Sequence, residues 1–344
     1  MSSNLSQVAN FSTVLGKYDG TYLSTSAANM DPSGIIGTSD LSLNTGGYLV
    51  NPNTFVTPAA ANGAGFSVTG WVYPQGTQAA NTPIVDLAPP TDPRSIMTGC
   101  ALWFDAMDAS NCIGGTVSVV TAMNDKSGSG NHATIKATTG TNSASLVANG
   151  INGFPALNLQ NTGFGKNNMT TYTGNLYTFF CVASINTPGT YGRIISIGNT
   201  SYTGLDYTNN SFIVGAKSSP ISDNIFIEKA YSSGGFTGYG GTPLVSTPVL
   251  ITGYTDGTNL VLGVNGTQYG SVMLPVAAQT NFNYNLFYIG VDQIGGTNGT
   301  SFHTWINIGE ILLYQNAPTT AQRQAIEGYL AAKWKLQAAL PTSH

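Results

Sequence analysis

The sequence predicts an all-β sandwich closed by one C-terminal amphipathic helix, with a partial β segment ahead of it. Three observations carry this. Only 8% of the 344 residues are charged while 41% are hydrophobic, with 42 glycines; that mixture suits short strands joined by tight turns. Strand-like runs recur from about residue 100 onwards. A single helical periodicity stands near the end.

The first forty residues are polar and mostly patternless, which reads as an extended arm. Two strands are expected after it, Gly46 to Val50 and Gly65 to Pro74, the latter with Phe66 and Val68 alternating against Ser67 and Thr69. The proline-rich stretch DLAPPTDPRS over 86–95 reads as a linker, because proline cannot donate to a ladder and restricts its neighbours. The division is therefore 1–94, a partial sandwich-like module, and 95–344, the main domain.

Downstream, strands are expected at Ala101 to Ala106, Val117 to Asp125, Pro155 to Leu159, Tyr177 to Ile185, Gly192 to Gly198 and Ser211 to Ala216. Further ones fall in PVLITGYTDGTNLVLGVNGTQYG, at Asn285 to Asp292 and at Trp305 to Gln315. Asp256-Gly257 and Asn265-Gly266 are dipeptides that favour positive φ at hairpin tips. Between them Leu260, Leu262 and Val264 share one face. In the last strand the alternation of Ile306 and Ile308 against Ile311 and Leu313 shifts at Gly309-Glu310, which predicts a bulge there or burial on both faces. Thr319 and Gln322 have capping-box spacing. After them Ile326, Leu330 and Trp334, flanked by Tyr329 and Lys333, form the apolar stripe of a helix over about 320–335.

Bulk properties exclude several classes. The net charge is −4 and the few basic residues are scattered, so no nucleic-acid or anionic-membrane footprint is present. No apolar run approaches the roughly 18 residues of a membrane span, and the N-terminus has no signal-peptide pattern. Cys100, Cys112 and Cys181 are odd in number and have no CxxC spacing, which predicts free, buried thiols. So uncharged a surface is weakly protected against association.

Three stretches in order, ALWFDAMDAS…VTAMNDKSGSGNHAT, ITGYTDGTNLVLGVNG and LFYIGVD…INIGEILLYQNAPTTAQRQAIEGYLAAKWKL, resemble the laminin G-like modules of the concanavalin A-like superfamily. The resemblance covers about 98–336 and implies a jelly-roll β-sandwich of the kind found in viral, phage and bacterial surface proteins. Met123 departs from the aromatic residue common before the Asn-Asp pair. The stretch YLVNPNTFVTP…GFSVTGWVYP…TPIVDL looks like the first strands of a truncated second copy.

Hydrolytic members of that superfamily carry two carboxylates about 5–9 Å apart on either side of the scissile bond, in the retaining glucanases as Glu-x-Asp-x-x-Glu on one strand. The three glutamates here, Glu228, Glu310 and Glu327, form no such pattern, so no enzyme is expected and Glu310 reads as structural. His132, His303 and His344 are too dispersed in sequence to suggest a triad or metal cluster, and read as solvated. No cofactor is expected. The resemblance leaves calcium open, with Asp105, Asp108 and Asp125 in the opening motif as weak candidate ligands and Asp256 and Asp292 near loop tips. No EF-hand string is present, and Asp105 reads as a partner for turn amides.

Ligand or interface candidates are the loop tyrosines Tyr202, Tyr207, Tyr231 and Tyr239; Trp103, Trp305 and Trp334 read as core. Two functions follow. The first is a non-enzymatic structural protein of a virus particle, a minor capsid or decoration protein located in the virion, whose partners are other virion proteins or copies of itself. The alternative is a lectin-like module that binds glycans.

Overall fold

The computed structural model describes residues 92–114, 119–136, 144–187, 192–199, 211–217, 224–231, 234–239, 247–294, 297–301, 304–342 and 344, with four short strands before them. The chain divides into two compact units, Met1–Ile84 and Val85–His344. In the first, Thr21–Leu23 pairs with Tyr48–Val50, and Asn29–Asp31 with Asp40–Ser42, both antiparallel. The strand expected from Gly46 to Val50 thus starts at Tyr48; the one expected from Gly65 to Pro74 lies outside the described residues.

In the second unit the strands are β1 (Cys100–Asp105), β2 (Cys112–Ile113), β3 (Ala122–Met123), β4 (Ala133–Lys136), β5 (Ala144–Ile151), β6 (Phe154–Leu159) and β7 (Gly163–Gly174). Then come β8 (Tyr177–Thr187), β9 (Gly192–Gly198), β10 (Ser211–Lys217), β11 (Asn224–Tyr231), β12 (Gly234–Tyr239) and β13 (Pro248–Thr255). The last are β14 (Asn259–Val264), β15 (Thr267–Met273), β16 (Phe282–Ile289), β17 (Asp292–Ile294), β18 (Thr297–Ser301) and β19 (Trp305–Tyr314), followed by helix α1 (Thr320–Lys333).

Two antiparallel sheets result. One runs β15-β14-β13-β8-β19-β6-β5, with β1 also paired to β19; the other runs β12-β11-β10-β9-β16-β7-β4-β3-β2. Strand β19 is central to the first. Its opening residues Ile306 to Ile308 face β6, and its closing residues Glu310 to Tyr314 face β1.

Side chains from both sheets form one core cluster, including Phe104, Phe179, Cys181, Ile306, Ile308, Ile311 and Leu313 on one side and Ile195, Phe212, Phe287 and Ile289 on the other. Met123 is buried in it as well. Each such aliphatic or aromatic side chain contributes about 1.5–3 kcal/mol by burial. Period-2 alternation sends Trp103, Phe180, Val182, Leu250 and Leu312 to the opposite face of the first sheet, where they meet Ile326, Leu330 and Trp334 of α1 in a second cluster.

The helix begins with the expected capping box: Gln322 N donates to Thr319 Oγ1 at 3.2 Å and Thr319 N to Gln322 Oε1 at 3.0 Å. The expected bulge in β19 is also present. Val182 pairs with Glu310 but Ala183 with Ile308, so Gly309 is the extra residue. A Cβ there would lie 2.8 Å from the Trp334 ring, so the helix seats its indole on a glycine.

Asn265 and Gly266 have φ of 50° and 75° and close the β14–β15 hairpin. Asp256-Gly257 differs from expectation: only Gly257 has positive φ, and Asp256 Oδ1 accepts from Thr258 N and Asn259 N at the base of a longer loop. Of the strand expected at Val117 to Asp125, residues 117 and 118 lie outside the described ones, the ladder holds Ala122–Met123, and Asn124 and Asp125 bond other loops instead. Among the described residues no helix is long and apolar enough to cross a membrane.

Candidate functional site

The opening motif and the terminal helix meet on the helix-covered face of the first sheet. Asp125, which follows β3, reaches β1: its Oδ1 accepts from Trp103 N and Ser127 N, both at 2.9 Å, and its Oδ2 from Ser127 Oγ at 2.7 Å and Asn131 N at 2.9 Å. Asn131 in turn donates to Ala101 O at 2.8 Å. The polar loop DKSGSGN is thereby laced onto the first strand.

Asp105, at the end of β1, accepts from the turn amide of Met107 at 3.1 Å, as expected. Its Oδ2 is also paired with Lys126 at 3.1 Å and Lys333 at 2.8 Å. Asp108 accepts from Ser110 N and Oγ and pairs with Lys126 at 3.0 Å. The Ser110 hydroxyl and then Lys126 hold its carboxyl low, at about 2.

Glu310 is 1% exposed, yet both of its oxygens are served. Oε1 accepts from Trp103 Nε1 at 2.8 Å and the Tyr329 hydroxyl at 3.0 Å; Oε2 accepts from Trp334 Nε1 at 2.9 Å and pairs with Lys333 at 2.7 Å. Burial pushes this carboxyl above the ordinary glutamate range, and Lys333 opposes the rise. A buried charge is tolerated only with such a complete set of donors.

The chemistry of this cluster is mechanical. Lys126 and Lys333, with the side chains of Ser110, Trp103, Tyr329 and Trp334, engage Asp105, Asp108 and Glu310 from the first strand, the motif loop, the last strand and the helix. Asp105, Asp108 and Asp125, the candidate calcium ligands, are all engaged in these bonds. Among the described residues no group of three or more His, Cys, Asp or Glu side chains is arranged to hold a metal.

A further buried acid, Glu327, lies on the same face, nearer β13 and β15. It accepts from Thr252 Oγ1 and Arg323 Nη1, each at 2.6 Å, and pairs with His344 Nε2 at 2.6 Å. His344 was expected to be solvated, and is not: the segment after the helix brings it back beside Gly266, where it finds a buried carboxylate. His132 is exposed, and its Nδ1 accepts from Asp125 N at 3.1 Å. His303 lies outside the described residues.

The tryptophans divide. Trp103 and Trp334 are buried, but Trp305, expected in the core, is 39% exposed. Its neighbours Ile306 and Ile308 take the inward positions of β19, so parity turns Trp305 and Asn307 to the opposite face. Helix α1 covers the far half of that face and leaves this half uncovered by the second apolar cluster. Tyr202 and Tyr207 lie outside the described residues; Tyr231 and Tyr239 end β11 and β12.

The described architecture is a two-sheet all-β sandwich with one helix packed on one face. No family model matches the chain, and no curated protein does. Among solved structures it is similar to domain 4 of AbnA, a GH43 extracellular arabinanase from Geobacillus stearothermophilus in complex with arabinotriose, at 14% identity and TM-score 0.45 over 65% of this chain and 96% of that one. It is similar to an arabinofuranosidase complexed with arabinofuranosyl-alpha-1,2-xylobiose at 16% identity and TM-score 0.49, over 69% of this chain and 60% of that one. A botulinum neurotoxin serotype D/C VPI 5993 binding domain gives 11% identity and TM-score 0.45, over 68% of this chain and 53% of that one.

Proposed function

We propose that the chain is a non-catalytic recognition module that binds glycans. The observation that carries this is a contrast on one sheet face. The acids of the motif are spent holding strands and helix together, while an exposed indole is left on a neutral surface. Large aromatics are highly buried on average, and one left partly open beside amides offers a ligand a flat apolar surface next to polar groups. Glycan recognition is the alternative function from the sequence, and we prefer it to the virion-component reading, which rests on the motif resemblance, the absence of a catalytic pattern and of a signal-peptide pattern, and the neutral surface. Calcium forms no part of the proposal.

The test pairs binding with turnover. The full chain is titrated with an oligosaccharide panel, and the same sugars are incubated with it and assayed for new reducing ends. Saturable binding without hydrolysis is expected. Turnover lost on replacing a motif acid without unfolding would overturn the non-catalytic reading, and absence of any glycan binding would overturn the recognition reading.

A further inference from the structure

We infer that the glycan site lies on the half of the helix-bearing sheet face beyond α1, built on Trp305 with Asn158 and Asn307, and that its ligand is an uncharged pyranose presenting a C–H face. The inference rests on the recognition reading above and adds its location and ligand class.

The face changes character in three steps along the strands. Beneath the helix it is apolar, with Phe180, Val182, Ala156 and Leu312 in the second cluster. The next row across the sheet is polar and in register: Ser184 opposite Asn307, Asn307 opposite Asn158, and Asn158 opposite Ser145. Beyond that row stands Trp305, paired with Thr187. The alternation that places Leu157, Leu159, Ile306 and Ile308 in the core turns these polar residues to the other face, where Ser184 is buried and Asn158 and Asn307 are half-buried beside the exposed Trp305.

The two asparagines are tied to each other, Asn158 Nδ2 donating to Asn307 Oδ1 at 2.6 Å, which fixes both amides beside the indole. Asn307 Nδ2 adds a long bond to Gly150 O at 3.4 Å. Among the described residues Asn158 Oδ1 and one N–H of each amide have no further partner, so the pair keeps both an acceptor and donors, the combination that neighbouring sugar hydroxyls require. An indole supplies a flat, polarisable surface for the C–H face of a ring at little entropic cost. The row and Trp305 carry no ionisable side chain, so nothing there compensates an acidic sugar and nothing repels a neutral one.

The test uses the full chain and an array of neutral, sialylated and uronate-containing oligosaccharides, with affinities for the hits from titration. Three variants are compared: Trp305→Ala, Trp305→Phe, and the double change Asn158→Ala with Asn307→Ala. Binding to neutral sugars that falls on the order of tenfold or more in Trp305→Ala, falls less in Trp305→Phe, and falls in the double variant is the expected result. Tryptophan emission should shift on binding in the wild type and lose that shift in Trp305→Ala. Neutral-glycan binding that is undiminished in Trp305→Ala overturns this location while leaving the recognition reading intact. Binding confined to acidic glycans overturns the ligand class, and binding to no glycan overturns both.

Discussion

The two halves of one sheet face use similar residue types for opposite ends. Beneath α1, Trp103 and Trp334 turn their indole N–H groups onto Glu310 and are sealed; at the other half, Trp305 stands partly open beside two amides. The difference is the acid. Where a carboxylate is buried it demands donors from every side, and supplying them consumes the aromatic and cationic groups nearby. Where the row is neutral, the fold makes no such demand, and the aromatic remains available to a ligand.

The comparison breaks most visibly at Glu310. Glu310→Ala orphans two indole N–H groups, the Tyr329 hydroxyl and one partner of Lys333, and should cost about 3–5 kcal/mol in denaturant unfolding. A cost below about 1 kcal/mol would mean the cluster does not hold the helix. Next, Gly309→Val should cost about 1–3 kcal/mol, because its Cβ is driven against the Trp334 ring.

A lone buried charge sharpens the contrast. Lys229 on β11 pairs in register with Phe212 of the inter-sheet core, is 0% exposed, and has no hydrogen-bond acceptor among the described residues. Its ammonium lies 5.3 Å from the Phe282 ring centroid, and burial lowers its pKa from 10.5 to about 8. Between those values the unfolded chain holds a proton that the folded chain has released. Stability should therefore rise with pH across that window, and Lys229 is most costly below it, by about 3 kcal/mol at most. Lys229→Met should stabilise the fold at neutral pH by about 1–3 kcal/mol and flatten that part of the pH profile of unfolding; an unchanged profile would show that Lys229 is not the group responsible. The smallest effect is expected at the helix start, where Thr319→Ala should cost about 1 kcal/mol in the same assay.

What was legible in the sequence was local. The capping box at Thr319, the Asn265-Gly266 turn and the shifted alternation at Gly309 each lie within a few residues, and the structure has all three. Asn152-Gly153 carried the same turn signal and was missed; it closes β5–β6 with φ of 49° and 85°. Strand β7 was passed over because KNNMTTYTG is polar on both parities, and its place is set by pairing with β16. The acid cluster was not readable, since Asp105 and Lys333 are 228 positions apart and only the fold brings them to 2.8 Å. Trp305 was misassigned for a different reason. Bulk suggested core, whereas the parity of Ile306 and Ile308 already put it with Asn307 on the other face.

On our proposal the helix-covered half of the face holds the fold together and the Trp305 half binds glycan. Thermal unfolding of wild type and Trp305→Ala, each with and without a saturating neutral oligosaccharide identified on the array, tests it most directly. The account predicts equal midpoints without sugar, a rise with sugar in the wild type as ligand binds only the folded state, and no rise in the variant. An equal sugar-induced rise in both proteins, or a variant that unfolds well below the wild type without sugar, would contradict it.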